Sequence, residues 1–179
     1  RNDPNGAWLY EIHPDASPMN IDFRQFLGGR PRKPDAVMMK RYFRWRLWYD
    51  YGSGLSGDLL THEYDSVNMM LDLGIPTSAV ASGGVYYYKD DREVPDVYNV
   101  TYEYPDRDLT LMYSATLSSN CNRGKLLMGN DAVLDLGQLH ASAMSVTADV
   151  GSTRYKKKIE SGIIDTSLPM FTYTPGSKG

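Results

Sequence analysis

The chain has 179 residues, 41% of them apolar and 23% charged, with a net charge of −3. That length supports one well-cored domain, or one domain with a long arm. The acidic balance argues against nucleic acid as a partner. The lone cysteine, Cys121, excludes an internal disulfide and a thiolate zinc cluster, and no apolar run reaches membrane-spanning length.

Residues 1–41 read as a Pro-rich extended arm. Pro14, Pro18, Pro31 and Pro34 punctuate them, Gly28 and Gly29 lie between, and periodic apolar positions are few. One short helix is predicted over residues 21–27, capped by Asn20 or Asp22. The opening Arg1-Asn2-Asp3-Pro4 reads as the middle of a longer gene product, and the last residues read as cut in a loop. Residues 42–179 read as a second region, an α+β domain to which the arm belongs.

That region opens on a dense aromatic and arginine stretch, residues 42–51. Such a mixture lines cores. It also suits sugars, because rings stack on C–H faces and guanidinium groups donate to hydroxyls. Arg46, Trp45 and Tyr49 are the candidate substrate contacts. A helix is predicted over residues 55–73, with Leu60, Tyr64, Val67 and Leu71 as its apolar stripe. Gly74 is its predicted stop. Asp58, His62, Asp65 and Met69 fall on the opposite face.

Period two follows. Strands are predicted over residues 78–89, 98–104 and 109–117, with shorter ones over 125–128, 133–136 and 144–147. Gly83-Gly84 predicts a bulge or a close backbone approach. Tyr98, Val100, Tyr102 and Tyr104 share one face of the second strand. Tight turns between successive strands predict antiparallel pairing. The expected architecture is α+β, a mostly antiparallel open-faced sheet with helices on one face. Residues 154–159 are a basic run, read as a solvated helix or turn face.

Gly52-Ser53-Gly54-Leu55-Ser56-Gly57 matches G-x-G-x-x-G literally. No apolar strand precedes it and no β-helix-β unit surrounds it, so it reads as a decoy rather than a dinucleotide loop. Its glycines serve a sharp turn into the helix. Asp58 and His62 are four residues apart, neighbours on an α-helical face. A carboxylate beside an imidazole orients it, and histidine suits proton exchange with a hydroxyl near neutral pH. The competing reading is a merely solvated polar face. His13 reads as a surface residue, His140 as a loop residue, and no histidines have metal-ligand spacing.

The stretch from Ser53 to Asp65, with Asp58 and His62 at its centre, resembles the D-x-x-x-H segment of the Gfo/Idh/MocA oxidoreductases, the glucose–fructose oxidoreductase and inositol dehydrogenase family. Tyr49-Asp50-Tyr51-Gly52, Arg44-Trp45-Arg46 and Asp15-Ala16-Ser17-Pro18 agree with it. So do Val80-Ala81-Ser82-Gly83-Gly84, Arg92-Glu93-Val94-Pro95-Asp96 and Gly129-Asn130-Asp131-Ala132. The likeness spans most of residues 1–175. It departs at Leu55-Ser56, where a glycine is usual, and at Leu60, two before the histidine.

The resemblance implies a C-terminal substrate-binding and assembly domain whose N-terminal nucleotide-binding domain, with the family's catalytic lysine, is absent. It implies that Asp58 and His62 are catalytic, with His62 as acid/base and Asp58 orienting it. NAD or NADP would be bound mainly by the missing domain, and this chain would hold no cofactor and be inactive alone. A sugar or polyol would be the substrate, and copies would assemble through the sheet, by its tyrosine-rich face. An NAD-dependent glycosidase of the same family and a non-catalytic binding or dimerisation module remain open. A bacterial setting is implied, cytoplasmic or, with a lost export signal, periplasmic. Asn99-Val100-Thr101, a formal glycosylation sequon, is discounted there.

Overall fold

A computed structural model describes residues 6–29, 38–119, 121, 123–137 and 143–176. The chain forms two compact units, Arg1–Asn120 and Cys121–Gly179. The sequence reading marks a boundary near residue 41 and none near 120.

In the first unit the arm carries helix α1, Phe23–Phe26, where the Asp22 carboxylate accepts from the Gln25 N–H, the capping contact its position predicts. Helix α2, Met38–Phe43, leads through a 3₁₀ turn at Trp45–Leu47 to the main helix. That helix begins with a π-helical turn, Ser56–Leu60, and continues as α3, Thr61–Leu71. Leu60 is buried and Tyr64, Val67 and Leu71 are half-buried, so the predicted stripe faces inward. The left-handed residue that ends α3 is Asp72, two short of Gly74. Gly74 still serves the terminus, since its N–H donates to Asn68 Oδ1 at 2.8 Å.

Strands β1 (Ser78–Gly84), β2 (Val97–Tyr104) and β3 (Leu109–Thr116) form one antiparallel sheet in that order. Val100 and Tyr104 are buried, and Tyr64 of α3 packs its ring against that of Tyr102 at a tilt and hydrogen-bonds Tyr104. Tyr98 packs against the core cluster of Leu55, Tyr88 and Leu117, together with Ala7 and Trp8 of the arm. The tyrosine face is therefore the covered face. Tyrosine fits there because its ring buries area while its hydroxyl finds a partner.

Strand β1 ends at Gly84, short of the predicted residue 89. The cause is Asp96, fully buried, whose carboxylate accepts from three successive peptide N–H groups, those of Tyr86, Tyr87 and Tyr88 at 2.7–3.0 Å. This bends the chain out of the ladder. Gly83 makes the close approach its composition predicts, because a Cβ there would lie 2.3 Å from the Val97 carbonyl oxygen.

In the second unit β4 (Leu126–Met128), β5 (Ala132–Asp135), β6 (Met144–Ala148) and β7 (Phe171–Tyr173) form a four-stranded antiparallel sheet. The expectation of one sheet is corrected: the strands pair in two separate sheets. Helix α4, Lys156–Glu160, carries the basic run with its lysines exposed. Asp131 ties the preceding loop to β5, accepting from Ser152 Oγ at 2.7 Å and the Arg154 N–H at 3.2 Å. These two hydrogen bonds hold its carboxyl below the ordinary value. The class α+β holds for the chain. Among the described residues no helix is long and apolar enough to cross a membrane.

Candidate active site

The head of the main helix is built by glycines. Gly54 adopts φ +59°, and a Cβ there would meet the Val94 side chain at 2.8 Å. Gly57 sits against Ser53, whose Oγ would lie 2.2 Å from an added Cβ. Ser56 Oγ donates to the Ser53 carbonyl at 2.8 Å and Thr61 Oγ1 to the Ser56 carbonyl at 3.1 Å. A π turn spaces its bonds i to i+5. Asp58 lies within this turn, and His62 lies beyond it in α3.

Asp58 meets a different partner. Its Oδ2 lies 2.5 Å from Arg46 Nε. The oxygen is buried and receives no aligned hydrogen bond, so the contact is one of charge rather than of a directed N–H. The Arg46 guanidinium lies over the Trp45 ring, 4.2 Å from its centre. Trp45 in turn backs onto Gly52, where a Cβ would stand 3.2 Å from the ring. Ring, guanidinium and carboxylate form one stack, each holding the next.

Three of the five candidate residues, Trp45, Arg46 and Asp58, are thus brought together. His62 is exposed, and its side chain makes no hydrogen bond or ion pair among the described residues. The orienting of His62 by Asp58 is corrected, since Arg46 engages the carboxylate. Tyr49 stands apart, 60% exposed, and its N–H donates to Glu93 Oε2 at 3.2 Å.

Charge around this stretch is balanced in pairs. Lys40 meets Asp91 at 3.1 Å and Arg41 meets Asp50 at 3.3 Å. Arg92, its side chain fully buried, binds Asp90 through Nε and Nη2 and lies over the Tyr88 ring. Burial opposes ionisation of Asp90, but the hydrogen bonds and charge of Arg92 outweigh it and lower its pKa. Arg44 instead donates from Nε to the Tyr10 carbonyl at 2.8 Å, fastening the arm.

Sequence reasoning missed Asp96 and the Arg46–Asp58 pair. Neither has a local signature, since one collects peptide groups eight to ten residues away and the other spans a non-helical turn.

The glycines at 52, 54 and 57 do not fit a dinucleotide cradle. A 3₁₀ turn rather than a strand precedes them, and the space over them is filled by Trp45, Val94 and Ser53. Among the described residues no group of three or more His, Cys, Asp or Glu is placed to hold a metal. His13 is a surface residue whose Nδ1 accepts from the Asp15 N–H at 3.2 Å, and His140 lies outside the described residues. No family model, curated protein or solved structure matches this chain.

Proposed function

We propose that this chain supplies the substrate-binding and assembly part of an oxidoreductase acting on a sugar or polyol hydroxyl, with NAD or NADP held by a separate nucleotide-binding domain. The observation that supports this reading is the stack at the head of the main helix, where Trp45, Arg46 and Asp58 gather beside the turn that leads to an exposed His62. The resemblance of the stretch around Asp58 and His62 to the D-x-x-x-H segment adds to it.

In this reading His62 takes or returns the proton of the substrate hydroxyl. Asp58 and Arg46 set an acceptor beside donors, the combination that neighbouring hydroxyls satisfy. Their opposite charges cancel locally, which suits a neutral polyol better than a phosphorylated one. Trp45 acts through Arg46, since one face of its ring carries the guanidinium.

The test uses the full-length protein, assayed for NADH release on sugars and polyols and for cleavage of aryl glycosides. Dehydrogenase turnover that falls 10²- to 10⁴-fold in His62→Gln is the expected outcome, the usual contribution of a positioned acid/base. Turnover unchanged in both His62→Gln and Asp58→Asn would remove these residues from the reaction. Glycoside cleavage without net NADH would place the protein with the NAD-dependent glycosidases. The chain alone should give no turnover.

A further inference from the structure

We propose that β1 pairs antiparallel with β1 of a second copy of this chain, about a two-fold axis at Val80. This rests on the assembly part of the preceding reading and not on its chemistry.

Among the described residues, strand β1 is an edge, bonded on one side to β2. Five of its seven residues are exposed, Ala79 to Gly83 in an unbroken run, and Val80 is 71% exposed. Edge strands ordinarily carry a charge, a proline or a bulge that blocks further pairing. Residues 78–84 carry no charge and no proline, and their register with β2 is continuous from Ser78 to Gly84. This edge is unguarded.

Its sequence also specifies the partner. Ser78-Ala79-Val80-Ala81-Ser82 reads identically in both directions. A two-fold axis makes a contact self-complementary, residue i meeting j as j meets i. Antiparallel pairing centred on Val80 sets each Val80 against its counterpart. Each Ala79 then meets an Ala81 and each Ser78 a Ser82, with like side chains on like faces. Small side chains let the backbones approach without obstruction. The row Val80, Thr101, Met112 on the uncovered face would continue into the second copy, and two three-stranded sheets would become one of six. Strand β3, the opposite edge, has no such symmetry in its Leu-Thr-Leu-Met-Tyr-Ser-Ala-Thr sequence.

Edge pairing differs from contact through the face of the sheet, and cysteine placement separates them. In a Cys121→Ser background, Val80→Cys should form an intermolecular disulfide under mild oxidation, because residues directly opposite have Cβ atoms roughly 4.5–5.5 Å apart. Ser82→Cys should not, because its counterpart lies four residues, about 13 Å, along the strand. Mixing Ser78→Cys with Ser82→Cys copies should restore the link. By light scattering across micromolar concentrations, the parent chain should dimerise. Val80→Lys should weaken that dimer at least tenfold, while Met112→Lys, with the same charge on the open face, should not. A chain monomeric throughout would overturn both the edge pairing and the assembly part of the functional reading. A dimer that survives Val80→Lys and links through Met112→Cys would overturn the edge pairing alone. Dehydrogenase assays bear on neither result.

Discussion

The carboxylate of Asp58 is held by Arg46, twelve residues before it, at 2.5 Å, and not by His62, four residues after it. The two side chains are 24% and 31% exposed, so the pair is partly shielded from solvent. A double-mutant cycle on Arg46→Met and Asp58→Asn should show a coupling of about 1 kcal/mol in unfolding free energy. The cycle on Asp58→Asn and His62→Gln should be additive. Coupling to His62 and none to Arg46 would reverse the assignment. Arg46→Lys should recover only part of the coupling, because an ammonium group does not lie flat on the Trp45 ring.

Asp96 gathers three peptide N–H groups in a site sealed from water. Replacing it strands those donors. Urea unfolding of Asp96→Ala should show a loss of at least about 3 kcal/mol, since each buried unsatisfied donor costs roughly 1–3 kcal/mol. Asp96→Asn should also destabilise, because its NH₂ group cannot accept. A loss under 1 kcal/mol in both variants would mean that water reaches the Val85–Tyr88 turn.

Gly57 offers a test that depends on its neighbour. An added methyl would lie 2.2 Å from Ser53 Oγ, which must rotate aside, so Gly57→Ala should cost about 0.5–1.5 kcal/mol more than in a background without that hydroxyl. In a Ser53→Ala background the obstructing oxygen is gone, and alanine's helix propensity, about 1 kcal/mol better than glycine's, should leave the change neutral or favourable. Thermal melts of the four proteins decide it. Equal destabilisation in both backgrounds would point to the backbone and not to Ser53.

The tyrosine face makes the fold sensitive to alkali. Burial, reinforced by the charges of Glu63 and Tyr98, pushes the Tyr113 hydroxyl up to about 12. Burial and the hydrogen bond with Tyr64 raise Tyr104 further still. A phenol whose folded pKa exceeds its unfolded value stabilises the fold fully below the ordinary value of 10.0, and that stability is lost as pH rises past it towards the folded value. Absorbance at tyrosinate wavelengths should therefore show a late group of the fourteen tyrosines that ionises together with loss of far-UV dichroism. A single transition near 10 with the fold intact would contradict the burial of this face.

The strands were legible because their signal is local. Alternation located β2 and β3 within a residue or two and put Tyr98, Val100, Tyr102 and Tyr104 on one face. The inward stripe of the main helix and the Asp22 cap were legible for the same reason. Strand β7 was missed because Phe171–Tyr173 has only three residues, too few for alternation to register, with Pro169 and Pro175 close on either side. The division into two sheets was missed because turn chemistry pairs neighbours without saying where pairing stops. At the site, residue types were legible and partners were not. Asp58 lies in a π turn and pairs with Arg46, and nothing in the order of residues announces either.

The Arg92 guanidinium reaches the carbonyl of Ala7 across 85 residues of chain, and Ala7 and Trp8 complete the cluster around Leu55. Ala7 and Trp8 therefore find their place only after residues more than eighty positions later are available. Until residue 92 has emerged and joined Asp90, the arm has no anchor there and Leu55 lies open to other chains. Closing so long a loop carries an entropy that is recovered only when the clamp forms. Loss of the Ala7 and Trp8 contacts would leave the strands paired but the interior uncovered, and the damage would show as aggregation before it showed as lost secondary structure.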